Sequence, residues 1–554
     1  MQVIKRQTAL LVFLLPIFAY SQSAYLPQGA KEIPLIERLE ILSGGDSALS
    51  FSHIRPMSRK SMVRAVERLS GTADVAGLSA VDRYNMERVR FNNLEWVDGD
   101  KSVYRSKKPV WNTFFRTPAN MIEVDRPDFF LSVNPILQLN YIYDDQSDEM
   151  AFLNTRGAVA RGVVARKFSF QTYLTENQER APLFVRQWMD QYKAVPGIGF
   201  YKAFKETAKD YLDTRGSIVF NAAKFLDVQF GYDRAFLGNG YRSLFLSDFS
   251  NNHLFLNLNL RVWKLNYASR VMELTSQYER GTRADTVFPK KYMAIHHISF
   301  NAPRWLTLTL FEGVVFGRAN QFEFGYLNPV IFLRPMEHQI GSMDNAFIGF
   351  EGKANIARRF QLYGQILFDE FNLAELRRNE GSWVNKWAIQ AGLKHVDLFG
   401  VRNLDLQLEA NIIRPFTYTH RDSIANYTHY NQPLAHPLMA NVREFVGILR
   451  YQPANKWHAR ARVNYWLGGT DLNGANWGNN IFLPYTTRAA DYGNVFGAAS
   501  TSKWLNANLW LAYEWKENLF LELNGYARKS PDVNMNIFGS VGLRWNMHRR
   551  EYDF

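Results

Sequence analysis

Leu404-Asp405-Leu406-Gln407-Leu408-Glu409-Ala410-Asn411-Ile412 alternates without a break, every apolar side chain on one face of an extended chain and every polar one on the other. Leu254 to Val262 repeats the pattern, with Leu254, Leu256, Leu258, Leu260 and Val262 opposite Phe255, Asn257, Asn259 and Arg261. Trp457 to Leu467 and Leu505 to Trp515 do the same. Alternation alone also fits a soluble β-sandwich, which hides one face in a core. Length decides against it. Soluble strands average about five or six residues, whereas tilted strands crossing an outer membrane need about nine to eleven.

In chain order the alternation predicts strands near 129–143, 151–165, 166–177, 214–223, 225–234, 254–263, 264–275, 291–301, 304–315, 345–356, 358–369, 384–396, 402–414, 443–453, 456–467, 502–515, 518–529 and 534–547. That is about eighteen, an even number as single-chain barrels have. Tight connections at Ala302-Pro303, Ala454-Asn455 and Lys516-Glu517 alternate with long ones at 178–213, 235–253, 316–344, 415–442 and 468–501, the periplasmic turns and external loops of such a barrel. Trp305, Trp457 and Trp515 sit beside the tight connections, as an interfacial aromatic girdle requires. The terminal Phe554 matches the closing aromatic of outer-membrane barrels, although His548-Arg549-Arg550-Glu551 separates it from the last alternating segment.

Ahead of the strands, Lys5 and Arg6 precede an apolar stretch and the small residues of Ala19-Tyr20-Ser21, the layout of a secretory leader cleaved after Ser21. An uncleaved anchor helix would need a longer apolar run. Helical spacing follows near 36–41, after a Ser58 N-cap (Met62, Val63, Val66, Leu69), and over 79–91. The chain therefore divides into a leader at 1–21, a periplasmic helical domain and linker at 22–127, and an all-β transmembrane antiparallel barrel at 128–554.

Composition agrees. Aromatic residues reach 15% of 554, yet the mean hydropathy of −0.28 excludes a helical membrane protein. With no cysteine there is no disulfide framework, thiolate metal site or lipidated N-terminus. The formal charge is +13, or +11 without Lys5 and Arg6, and a basic exported surface attracts anionic lipid or acidic polysaccharide. Expected partners are outer-membrane lipid, surface or capsular polysaccharide and other envelope proteins, with no nucleic acid.

No nucleophile elbow, zinc-protease helix or phosphate-binding loop occurs, so no catalytic residue or cofactor is expected. His296-His297 lies within a strand, so its two rings point to opposite faces and cannot share a metal; no metal site is expected. Arg156, Arg161, Arg261, Arg460 and Arg462 fall on or near polar faces and are expected to point into the lumen, where they either bind anions or pair with interior acids such as Asp405 and Glu409. Two late loops mix aromatic rings with amides and carboxylates: Tyr418, Tyr427 and Tyr430 in one, Asp471, Asn476 and Trp477 in the other. Rings stack on sugar faces while amides and carboxylates bond hydroxyls, so these six are candidate glycan contacts. The competing reading is that Asn and Gly make turns and the rings pack the loops together.

Phe236-Leu-Gly-Asn-Gly-Tyr-Arg-Ser-Leu-Phe-Leu-Ser247 resembles the Gly-x-Gly turn and Ser-Leu-x-Leu-Ser segment of capsule-assembly outer-membrane proteins of the Wzi family. Tyr292-Met-Ala-Ile-His-His-Ile-Ser-Phe300, Tyr326-Leu-Asn-Pro-Val-Ile-Phe332 and Asp344-Asn-Ala-Phe-Ile-Gly349 are similar to its Bacteroidetes branch, and Ile36-Glu-Arg-Leu-Glu40 and Arg55-Pro-Met-Ser-Arg59 also fit. The resemblance implies an eighteen-stranded barrel with a periplasmic helical bundle, acting as a surface lectin for capsular polysaccharide. No residue matches the sugar contacts of distant members one by one. A structural role in a gliding-motility or secretion complex, and a diffusion porin, stay open beside it.

Overall fold

The computed structural model describes residues 24–71, 77–111, 113–278, 287–531 and 535–554; the leader lies outside them. Eighteen antiparallel strands, from Phe129–Asp144 to Asn536–Trp545, close into a barrel. The last strand pairs with the first through Phe538 opposite Asp144 and Trp545 opposite Leu137. No helix among the described residues is long and apolar enough to cross a membrane. Closure removes every sheet edge, so all strand amides and carbonyls can be satisfied in lipid.

Strand positions follow the alternation closely. In Leu404–Ile413 the polar set Gln407, Glu409 and Asn411 is buried inside while Ala410 and Ile412 are exposed outside. The largest departure is strand Ala208–Ala223, which begins six residues before the expected 214. Its early part pairs with Glu176–Glu179 and, by its other edge, with the short segment Lys202–Phe204, tertiary support that a local pattern does not carry. At the short-turn end, Ala165, Arg166, Ala357 and Arg358 adopt positive φ, the twist that two-residue hairpins impose even on residues with a Cβ. Trp263, Trp305, Trp457 and Trp515 stand 48 to 80% exposed beside that end.

Three helices, α1 (Glu32–Ser43), α2 (Arg59–Gly71) and α3 (Ala80–Phe91), share a core that includes Leu39, Met62, Val63, Val66, Leu69 and Val89. Ser58 accepts from the Ser61 amide at 3.3 Å, and Ser79 with Asp82 forms a capping box. The bundle sits against the short-turn end of the barrel and reaches inside it. Arg38, 4% exposed, binds Asp82 at 2.8 Å in its own bundle and Asp397 and Asp405 of the barrel at 2.6 Å each. Lys353 binds Glu40 at 2.7 Å, and Lys394 binds Glu37 at 3.0 Å.

Two further segments enter the lumen. The connection 234–252 folds inward, its Phe236–Leu237 bridging Ile54–Arg55 of the helical region, with Leu244, Phe245 and Leu246 fully buried. Its Gly-Asn-Gly turn is steric in origin: Gly238 has φ +153°, and a Cβ there would meet the Gln365 amide at 2.7 Å. The C-terminal tail turns at Asn546 (φ 53°) and runs back into the barrel. Phe554 is therefore not a lipid-facing residue of the last strand, as its terminal position suggests. It is 6% exposed and packs on Trp188 and Phe249, with its backbone oxygen accepting from Arg528 at 2.6 Å.

Candidate functional site

The lumen is held by charge between these inserted pieces. Arg242, on the inward loop, binds Glu444 of the wall and Asp553 of the tail, each at 2.9 Å. Glu409 accepts from the amides of Tyr241 and Arg242 at 2.6 and 3.0 Å. Arg460 and Arg462 both bind Glu551 of the tail. Arg161 binds Glu95 at 2.9 Å, and Arg261 donates to the Ser47 carbonyl and lies over the Phe51 ring at 4.9 Å. Four of the five expected arginines thus face inward, and their partners belong to the inserted segments; Asp405 is taken by Arg38. Arg156 is the exception. It is five residues from the inward Arg161, and an odd separation in a regular strand puts the two on opposite faces. It is an exposed partner of Glu176 on the outer wall, at 3.0 Å. A cavity of about 640 Å³ remains between the helical region, wall and tail, lined by Arg234, Arg450, Arg460 and Arg549 among others.

At the opposite end the long connections fold against one another. Tyr418 and Tyr427, expected as glycan contacts, are 1% exposed, stacked 5.5 Å apart. Their hydroxyls donate to the carbonyls of Leu244 (3.0 Å) and Phe245 (2.5 Å) on the inward loop. Asn476 is 3% exposed and ties its own loop, donating to Pro484 O and Thr487 Oγ1 and accepting from Gly478 N. Asp471 accepts from the Trp477 amide at 2.8 Å. For Tyr418, Tyr427 and Asn476 the packing reading therefore holds. A loop folded into the barrel offers its flat rings to its own backbone before any ligand.

Trp477 and Tyr430 remain partly exposed. Tyr430 packs edge-on to Tyr278 and Phe288, against Gly199. A second platform, not singled out in the sequence, joins residues of two connections. Trp383 and Tyr485 lie 4.5 Å apart at 32°, with the Arg488 guanidinium 4.3 Å over Trp383. Trp383 N donates to Asp491 O at 3.1 Å, Gly493 N to Glu380 O at 2.8 Å, and Tyr492 is 44% exposed beside them. No single segment carries that signal, because the rings come from loops about a hundred residues apart that only barrel closure brings together.

One connection leaves the loop cluster. Residues 317–344 lie on the outer wall, where Tyr326 and, from α4 (Leu333–Ile340), Leu333 cover Tyr292, Ala294, Val314 and Phe316. Phe324, Val330 and Phe332 on this segment are 55 to 86% exposed.

An eighteen-stranded ring with an apolar outside, a polar inside and tryptophans beside its short turns has one physical setting. The chain is an outer-membrane β-barrel. No family model and no curated protein matches it. Among solved structures it is similar to Wzi of Escherichia coli, described as an outer-membrane protein involved in group 1 capsule assembly and a carbohydrate-binding β-barrel. The identity is 12%, the TM-score 0.57, and the overlay covers 95% of this chain and 100% of that one. OprD of Pseudomonas aeruginosa (9% identity, TM-score 0.42) and OccAB2 of Acinetobacter baumannii (10%, 0.42) each overlay 75% of this chain, and 94% and 97% of their own. Likeness at this identity is likeness of fold.

Proposed function

We propose that this barrel binds or organises surface polysaccharide, capsular polysaccharide included, through its external loops. One observation carries the reading: three separate segments are salt-bridged inside the lumen, while the loops above present fixed, partly exposed aromatic rings. A diffusion porin needs the opposite arrangement, an open lumen under loops free of it. The solved barrel that overlays nearly the whole chain is itself described as carbohydrate-binding, which supports the same direction.

The rings to test are Trp383 and Tyr485, with Trp477 as the retained sequence candidate. Trp383→Ala and Tyr485→Ala, made together, should leave surface abundance and heat-modifiable migration unchanged, because loop tips contribute little to barrel stability. Retention of polysaccharide on intact cells should fall several-fold, since stacked aromatic anchors dominate recognition energy. Unchanged retention in this pair and in Trp477→Ala would sink the reading. Stoichiometric co-purification of envelope proteins with the wild-type barrel would instead support a structural role in a motility or secretion complex.

A further inference from the structure

Three side chains far apart in the sequence converge where the helical region enters the barrel. His53 precedes the Ile54–Arg55 bridge, and His297 and Glu351 face the lumen from strands Lys290–Asn301 and Asn345–Ile356. One ligand atom from each lies within 4.8 Å of the other two. The residues are 1%, 0% and 4% exposed. The paired histidines of the sequence do divide between faces: His296 turns to Glu312 on the outer wall, 3.6 Å away, leaving His297 alone inside. Its partner ring comes from the other domain, which is why adjacency within the strand could not reveal it.

Hydrogen bonds hold each of the three groups in place. Ser299 Oγ lies 2.9 Å from Nε2 of His53 and 3.4 Å from Nδ1 of His297, and Thr309 Oγ1 supports it at 3.0 Å. Asn239 donates its backbone and side-chain N–H to Oε1 of Glu351. Among the described residues, Nε2 of His297 is buried without a hydrogen-bond partner, while the Ser50 carbonyl accepts from His53 and Gln365 donates to Glu351. With its Nδ1 proton directed at Ser299, His297 keeps a buried lone pair on Nε2.

We propose that His53, His297 and Glu351 bind one divalent first-row transition ion, zinc by preference, which clamps the helical region into the barrel. Two imidazoles and a carboxylate are a known zinc donor set, with a fourth position left for water. A cavity of about 160 Å³ lies beside His297. The ring centroids stand 5.5 Å apart, a spacing open to a shared ion. Ser299 occupies the place of the outer-shell partner that orients ligating imidazoles. The nearby Lys353 ammonium does not oppose the ion unscreened, since Glu40 holds it at 2.7 Å.

The test uses the full mature chain in detergent, stripped with a chelator, dialysed, and titrated with Zn²⁺ or with Co²⁺ as a spectroscopic probe. About one ion per chain should bind, with Co²⁺ showing the absorption of a nitrogen-ligated site of low coordination number. His53→Gln and Glu351→Gln should each lower uptake more than tenfold. Ser299→Ala, which keeps all three ligands, should weaken affinity about 10- to 100-fold. Bound metal should also protect the helical region from protease while heat-modifiability of the barrel stays the same. No stoichiometric uptake by the folded, heat-modifiable wild type would overturn the proposal, whatever the variants do. So would uptake that His53→Gln leaves unchanged, which would place the ion elsewhere.

Discussion

Tyr427 and Leu408 show how far a residue's role depends on which side of the wall it occupies. Tyr427 has the composition of a sugar-stacking ring, yet it is buried against Phe347 with its hydroxyl on the Phe245 carbonyl. Leu408 faces outward from the centre of Leu404–Ile413, opposite Gly447 on the next strand. A lipid-facing charge at the midplane costs roughly 2 to 4 kcal/mol, so Leu408→Arg should impair assembly where Leu408→Phe does not. Polarity alone suggests that the neighbouring Gln407 would tolerate arginine. The structure corrects this, because Gln407 is 2% exposed and already accepts from Arg450 at 3.0 Å. Gln407→Arg should therefore also reduce the heat-modifiable fraction, by setting two guanidiniums against each other. Equal yields for Gln407→Arg and wild type would show that the lumen is looser than these contacts imply.

At the scale of elements, the seating of α1 on the barrel rests on buried ion pairs, and one of them has a readable pH signature. Burial by itself raises the Glu37 carboxyl, but Lys394 and Arg55 outweigh it and bring the group from 4.5 down to about 2. The unfolded or undocked segment therefore takes up a proton first. Stability from this pair is present above about pH 4.5 and is lost as the pH falls through 2, worth at most about 3 kcal/mol. Pepsin, which works in that window, should cleave the helical region of the wild type increasingly as the pH drops. In Glu37→Gln cleavage should be high already at the upper end of the window and change less with pH. Parallel profiles for the two proteins would remove Glu37 from the docking energetics. The Ser58 capping signal and the helical spacing over 79–91 locate helices in the sequence; the pairs that dock α1 on the barrel join residues hundreds apart and leave no local trace.

For the whole molecule, the closed ring and its three insertions make one body tied together by ion pairs. The tail supplies Glu551 and Asp553 to Arg460, Arg462 and Arg242. Deleting residues 548–554 strips those carboxylates, together with Arg549 and Arg550, and leaves Arg242 with Glu444, Arg460 with Asn508 and Arg462 with the Tyr241 hydroxyl as their remaining partners. In planar bilayers the full chain should show no stable conductance, and the truncated chain an anion-preferring one, because cationic linings select anions. Identical traces would mean that the helical region seals the barrel alone.

The barrel class, the strand positions to within a few residues and the capped helices are set by local physics: a two-residue alternation long enough to cross lipid, helical spacing after a capping serine, and tight turns alternating with long loops. These depend on neighbours in the chain, so Leu404 to Ile412 carries its own meaning. What fills the lumen does not. Arg161, Arg261, Arg460 and Arg462 could be read as inward from alternation, but their partners on the helical region and tail could not. The misplacement of Arg156 shows that even facing depends on counting parity from a neighbour of known side. The burial of Tyr418 and Tyr427, the Trp383–Tyr485 platform and the meeting of His53 with His297 and Glu351 were decided by tertiary structure alone. Each joins segments that approach only after the ring closes, and closure is a property of all eighteen strands together.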